Sequence, residues 1–385
     1  MVFRTTGTLT KICFLSSAHP KFDKRVFKKQ AAWLARAGHD VTHICPDDTA
    51  YEDTAEGVQI KTYTRRGGLV GRVLNAPRLF RRARAEKADA LHANELDSWL
   101  VALMVKATSR TKVVFDVHEF YPSMFAETRM PGALAPVASG AFRLLYRVLG
   151  PVTDLIVLAN RHIRRDFPKG ASNIINVENF GVIGDVPDTE RPARAPDAPF
   201  VLIHVGLMAA ERGSVVIPDA FEKLDPAQFK TRMIGRMADM DNDTYRAKIA
   251  ERGLDDRVGV VDWLPFEQLA GELAAADAGF VFFQSGSETN AFGLPHKLFD
   301  YMTAGLPVLV SQYAQYVSEI VREADCGVIL DSEDPGAVVA ALKALAADPE
   351  EARRLGRNGQ RALKERFNWE QEIARLSAYY DGLAA

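Results

Sequence analysis

The chain has 385 residues and a mass of 42.5 kDa, of which 47% are hydrophobic and 25% charged, a globular mix long enough for two domains. Its net charge of −2 hides an asymmetry: residues 1–180 hold 27 Lys and Arg against 17 Asp and Glu, so the front half is near +10 and the rest near −12. Cys13, Cys45 and Cys326 share no close spacing, which excludes a disulfide scaffold and a CxxC-type zinc site and suits a reducing compartment. The most apolar stretch, 140–160, is interrupted by Arg143, Arg147, Pro151 and Asp154. That falls short of the roughly 18 clean apolar residues of a membrane span. The run Ile12–Leu15 is too short for a secretory signal, so a cytoplasmic protein is expected.

In chain order, short apolar runs alternate with helical patterns. Lys11–Ser16 reads as a buried strand, Val26, Phe27, Ala31, Leu34 and Ala35 recur at helical spacing, and Gly38 stops that helix. Further strands are predicted at 41–45, 58–63, 90–92, 112–117, 155–158 and 174–177. Four prolines among charges at 185–199 give a linker composition, after which the alternation restarts with strands at 200–205, 229–234, 258–261, 278–283, 307–310 and 327–330. The tail 368–383 carries Trp369, Ile373, Leu376 and Tyr380 on one helical stripe. Strand–helix alternation implies parallel sheets. The expectation is two doubly wound α/β domains, 1–188 and 200–367, with the linker at 189–199 and ligands at the carboxyl ends of the strands.

Four stretches carry candidate chemistry. In Phe292-Gly293-Leu294-Pro295-His296-Lys297-Leu298-Phe299-Asp300 a Gly-Pro loop opens a helix whose free N–H groups and dipole suit an anion such as a diphosphate. Lys297 in the first turn opposes that dipole unless an anion compensates it, and Asp300 is placed to accept from a ribose diol; a solvated lysine and a surface carboxylate are the competing reading. In 201–213 a strand enters a glycine turn at Gly206, and Arg212 precedes Gly213, a pairing that suits phosphate or merely a strand–turn–helix joint. Val113–Val117 delivers His118 to a loop, to meet a sugar hydroxyl or a phosphate oxygen, or to pack beneath Tyr121-Pro122. His92, Glu95 and Asp97 repeat that layout and read as strand end and helix caps; Asp23 in the loop after the first strand reads as a cap as well. The run Asp239–Asp243 lacks the later Gly and Glu of a calcium loop, so a solvated loop and no metal are expected, and the lack of GxGxxG or GxxxxGK[ST] disfavours a nicotinamide dehydrogenase and a P-loop ATPase.

Together Phe22–Val26, Asp116–Glu119, Gly206–Gly213 and Pro295–Met302 resemble the retaining, GT-B-fold glycosyltransferases of family 4, also called group 1, from about Lys11 to Leu383. The resemblance implies two Rossmann-like domains facing across a cleft, a helix at 368–385 returning to the first, an acceptor on the front domain and a nucleotide-diphosphate sugar, a UDP-sugar favoured, on the rear one. It puts Asp300 on the ribose, Arg212 and Lys297 on the diphosphate beside Gly206, Gly293 and Leu298, the backbone around Asp262-Trp263-Leu264 on the base, and His118 beside the transferred sugar, so that His118, Arg212 and Lys297 are the catalytic candidates. It implies no cofactor beyond the donor, and an acceptor that is a glycan, a lipid-linked precursor or a small molecule. Two departures stand out: Phe292, not Glu, begins the usual Glu-x7-Glu pattern, with Glu288 twelve residues before Asp300, and Leu207 follows Gly206 where the family has a basic residue. The first departure keeps open a non-catalytic sugar-nucleotide-binding protein; a nucleotide-sugar 2-epimerase is the other alternative. Seven arginines between Arg65 and Arg84 lie among Leu69, Val70, Val73, Leu74, Leu79 and Phe80, a composition for peripheral contact with the inner face of a membrane or for a solvated helix face; nucleic acid is not expected, because the aromatics are not interleaved as stacking platforms.

Overall fold

In the computed structural model, described for residues 9–66, 68–124, 132, 134–187, 191–192, 194–195 and 197–383, the chain forms two compact units. The first comprises 1–179 and 369–385, the second 180–368. The chain passes into the second unit at Asn179/Phe180, ahead of the linker composition, because Phe180 packs edge-on against Phe299 and Phe367 in the second core. Of the expected linker, residues 189, 190, 193 and 196 lie outside the described residues.

The first unit is an eight-stranded sheet of order β3-β4-β2-β1-β5-β6-β7-β8. Its strands are β1 (Lys11–Leu15), β2 (Asp40–Asp47), β3 (Glu52–Ala55), β4 (Val58–Thr64), β5 (Ala90–Ala93), β6 (Lys112–Val117), β7 (Leu155–Leu158) and β8 (Ile174–Asn176). All pair in parallel except β3, an antiparallel edge strand against β4. β1, β5, β6 and β7 are buried almost throughout, the consequence of a parallel sheet covered on both faces. The first helical segment opens as a π-helix, Lys24–Ala31, before continuing as α-helix Ala32–Arg36. At its start the N–H groups of Phe27 and Lys28 both donate to the Asp23 carbonyl.

The second unit is a six-stranded, all-parallel sheet of order β11-β10-β9-β12-β13-β14. Its strands are β9 (Phe200–Val205), β10 (Phe229–Ile234), β11 (Val258–Val261), β12 (Ala278–Val281), β13 (Val308–Ser311) and β14 (Gly327–Leu330).

The terminal helix Trp369–Asp381 belongs to the first unit, as the resemblance implied. Trp369, Leu376 and Tyr380 are fully buried; Trp369 Nε1 donates to the Lys29 carbonyl at 3.1 Å, and Tyr380 Oη lies 2.7 Å from His92 Nδ1.

Candidate functional site

Two cationic residues of the second unit, Arg212 and Lys297, come together where β9 ends. Gly206 takes φ +103°, a left-handed conformation that favours glycine, and its backbone presses on Gly235, where a Cβ would stand 2.1 Å from the Gly206 carbonyl oxygen. The loop that follows is fixed by three bonds: Met208 N–H to Arg236 O at 2.9 Å, Ala238 N–H to Met208 O at 2.7 Å and Ala210 N–H to Asp239 Oδ2 at 2.7 Å. The acidic run 239–243 is thus committed locally, since Asp241 also caps the helix Asn242–Glu251 and Asp243 pairs with Arg246.

Lys297, in the first turn of the helix His296–Thr303, is buried. Its Nζ lies 2.8 Å from Nε2 of the equally buried His204, an imidazole that must be neutral to accept from an ammonium. Burial, with Arg212 nearby, holds the lysine well below its ordinary range, and burial with the Lys297 charge does the same to His204. The Arg212 guanidinium lies 5.7 Å from the Phe283 ring centroid, with its Nε buried and lacking a hydrogen-bond partner. Two cations are therefore drawn together, and Asp300, one turn beyond Lys297, is the acid whose charge offsets part of that lysine's burial. Such burial is costly in an unoccupied protein and favourable once an anion arrives.

The other expected residues fall on the same edge of the sheet. Gly206 is near Lys297, whose Cε would lie 3.9 Å from a Cβ there; a Cβ on Gly293 would lie 3.7 Å from the Phe283 ring. Asp300 follows Lys297 by one turn and is partly buried. Glu288 opens and Phe292 ends the short helix Glu288–Phe292. Leu298 points its side chain into the core, leaving only its backbone for a ligand. Trp263, 68% exposed, and Leu264, packed on the core, follow β11, and no contact links them to the cations. His204 escaped the sequence reading because it sits inside an apolar strand; a lone imidazole in Phe-Val-Leu-Ile-His-Val was the available signal.

His118 belongs to the first unit, after β6. Its ring meets His19 edge-on at 4.6 Å, and its Nδ1 is buried without a hydrogen bond, 3.9 Å from Asp116. Burial, aided by His19, pushes it down to about 4. Beneath lies a network the sequence did not reveal. Arg25 grips fully buried Asp116 with two bonds, Nε to Oδ2 at 2.8 Å and Nη2 to Oδ1 at 2.6 Å, and reaches Val177 O and Asn179 Oδ1 with Nη1. Burial alone would raise the Asp116 carboxyl, yet Arg25 holds it at about 2. Glu95, expected as a cap, does cap the helix Leu96–Lys106, but also gathers the loop after β1 through the N–H groups of Ser17, Ala18 and His19 and the His19 ring at 2.6 Å.

Buried histidines set an acid limit. Burial holds His43 and His92, like His118, at about 4, whereas an unfolded chain binds those protons near pH 6.5. Each therefore adds stability above pH 6.5 that is lost as pH falls toward 4, by about 1.4 kcal/mol per pH unit. His19, raised by Glu95 against its burial, acts in the opposite sense. His204 and His39, also lowered by burial, add to the three, so from pH 7.5 to 5.5 the urea midpoint is expected to fall by an amount worth about 4–5 kcal/mol; an unchanged midpoint would mean these rings titrate as in free histidine.

Two doubly wound units with strands exposing their loops at one edge define the GT-B class of fold. Sucrose-phosphate synthase from Thermosynechococcus elongatus has it with a TM-score of 0.74 at 18% identity, covering 97% of this chain and 99% of that one. Anabaena HepE, solved with UDP-glucose, has it at 0.70 and 15%, covering 97% and 100%. The family described as glycosyl transferases group 1 matches residues 185–362, and the glycosyl transferase 4-like domain matches 24–169. The chain belongs to the group 1 glycosyltransferases. Among curated proteins it is similar to an MMP alpha-(1->4)-mannosyltransferase of Mycolicibacterium hassiacum, 31% identical over 34% of this chain and 31% of that protein. It is also similar to a GDP-mannose:cellobiosyl-diphosphopolyprenol alpha-mannosyltransferase of Xanthomonas oryzae pv. oryzae, 27% identical over 47% of each. The chain thus spans between about a third and a half of the length of these relatives.

Proposed function

We propose that this protein transfers a hexose, with retention of configuration, from a nucleotide-diphosphate sugar to an acceptor hydroxyl. The observation that carries this reading is the pair of Lys297, buried against a neutral imidazole, and Arg212, with its Nε unpartnered, beside the Gly206 turn. When the acceptor oxygen bonds to the anomeric carbon, the bond from that carbon to the β-phosphate oxygen breaks, and the acceptor's proton passes to the leaving diphosphate. Negative charge then grows on the diphosphate, where fixed cations lower the barrier most. Arg212 and Lys297 supply that charge from the chain itself, with no metal required. Asp300 binds the ribose, the 262–264 backbone the base, and His118, neutral at pH 7, donates to or accepts from the transferred sugar. Retention rests on the family.

The relatives point to two nucleotides, since one curated relative is named for GDP-mannose and HepE was solved with UDP-glucose. A thermal-shift panel of UDP-, GDP-, ADP- and dTDP-sugars therefore tests the reading, because a ligand of the native state alone raises its stability by RT ln(1 + [L]/Kd). One of them is expected to raise Tm, and His118→Ala to keep that shift while losing turnover. No shift with any sugar nucleotide would end the proposal. Consumption of UDP-N-acetylglucosamine without acceptor would instead indicate an epimerase.

The acceptor side is proposed to lie on the first unit and to include lipid-linked glycans. Val70, Val73 and Leu74 are 75%, 71% and 53% exposed on the helix Gly68–Ala85, with Arg78, Arg81 and Arg84 also exposed, an arrangement suited to an anionic bilayer surface. Sedimentation with anionic vesicles at low salt is expected to carry the protein down; protein left in the supernatant excludes the membrane partner. No helix among the described residues is long and apolar enough to cross a bilayer.

A further inference from the structure

At the opposite edge of the second sheet, where β9, β12 and β13 begin, a recess of about 90 Å³ is lined by Arg191, Arg194, Arg353, Arg357, Asp277 and Gly305, among others. Among the described lining residues, four guanidinium groups face one carboxylate. Asp277 is already engaged, accepting from Val201 N–H at 2.8 Å, and stands 3.7 Å from Arg194 Nε. Arg194 Nη1 also donates to Ala198 O at 2.6 Å, and Arg191 Nη1 to Leu273 O at 3.2 Å, so both are anchored by carbonyls and share the single charge of Asp277. Arg353 pairs with Glu350 one turn back, and Arg357, one turn further along the helix Pro349–Glu365, has no partner among the described residues. The excess of positive charge around a half-open recess calls for an anion with several oxygens, because each guanidinium offers paired N–H donors in a plane.

We infer that this recess is a second anion site, built for a phosphate or diphosphate group and separate from the donor site. β9 is six residues long, so the recess lies about 20 Å from the Gly206 turn at the strand's other end. Its volume suits a phosphoryl group rather than a whole nucleotide. It also touches the donor machinery from behind. Gln360 Nε2 donates to Thr303 O at 3.1 Å, and Gly356 packs so closely on the Gly305 carbonyl that a Cβ there would stand 2.0 Å from it. The helix carrying Arg353 and Arg357 is thereby docked on the last turn of the helix carrying Lys297 and Asp300.

Calorimetry on the Arg212→Ala/Lys297→Ala protein, whose donor cations are removed, tests this with inorganic phosphate, inorganic pyrophosphate and glycerol 3-phosphate in low-chloride buffer. At least one probe is expected to bind with a stoichiometry of one, and adding Arg353→Ala/Arg357→Ala to weaken that binding tenfold or more. Preference for glycerol 3-phosphate would identify an organic phosphate as the occupant, and preference for either inorganic probe the free ion. Absence of binding by all three, or binding that ignores the two helix substitutions, overturns the inference. The exposed Arg357→Glu single variant serves if the double variant melts early, and the same tenfold loss is then required. Sugar-nucleotide binding by the unmodified protein reports on the donor site separately.

Discussion

Lys297→Ala and Arg212→Ala are each expected to weaken nucleotide-diphosphate binding by roughly 1.5–3 kcal/mol, the worth of a charged hydrogen bond. Lys297 carries a second signature. Its ammonium is buried against an imidazole and beside Arg212, a cost that Asp300 offsets only in part, so in the unliganded protein it is a burden rather than a support. Lys297→Met, which keeps the stem and removes the charge, is expected to leave the unliganded Tm unchanged or higher while the ligand-induced shift collapses. Calorimetry and melting on one preparation decide it. Unaltered UDP and GDP affinity in both alanine variants, or a Tm that drops on loss of the Lys297 charge, would assign these cations to the architecture alone.

Arg25→Ala is expected to cost about 3–5 kcal/mol of stability, because it strands a buried carboxylate. Asp116 is fully buried and Arg25 is 5% exposed, so water cannot take the place of the guanidinium. The same truncation releases Val177 O and Asn179 Oδ1. Gln30 Nε2, at 3.1 Å from Asp116, is the neighbour left to soften the loss. Urea titration measures the effect, and the double variant Arg25→Met/Asp116→Leu is expected to recover more than half of it. A loss below about 1 kcal/mol from Arg25→Ala would show that the pair contributes no more than a surface bridge.

Much of the second unit could be read from residue order alone. Strands at 200–205, 229–234, 258–261 and 327–330 coincide with the expected runs: the central strand 200–205 is almost unbroken apolar sequence, as burial on both faces requires, while 229–234 keeps its apolar ends around Lys230 and Arg232. Glu52–Ala55 was illegible for the opposite reason: an exposed antiparallel edge strand of polar residues has no apolar face to betray it. The π-helical start at Lys24 depends on Asp23 accepting from two successive N–H groups, a choice of register that side-chain periodicity does not encode. For the site, Lys297 and Arg212 were visible as cations beside glycine turns. Their partners were not, since whether Lys297 meets an acid or His204 is decided by strands and helices separated by 93 positions. Arg25 and Asp116, 91 apart, were each quoted in a motif, yet only folding shows them to be one unit.

The returning helix imposes an order on synthesis. Trp369, Leu376 and Tyr380 plug the front lobe, where Tyr380 covers His92 and its carbonyl receives the Thr10 hydroxyl at 2.8 Å. A ribosome that has made the first 179 residues has therefore delivered a lobe with an open seam, and the rear lobe emerges whole before the seam is sealed. The nascent front lobe must wait, half-finished, while the whole rear lobe, residues 180–368, is made. An excised fragment ending at Asn179 would keep that wound permanently, because the helix that closes it, Trp369–Asp381, lies beyond the rear lobe.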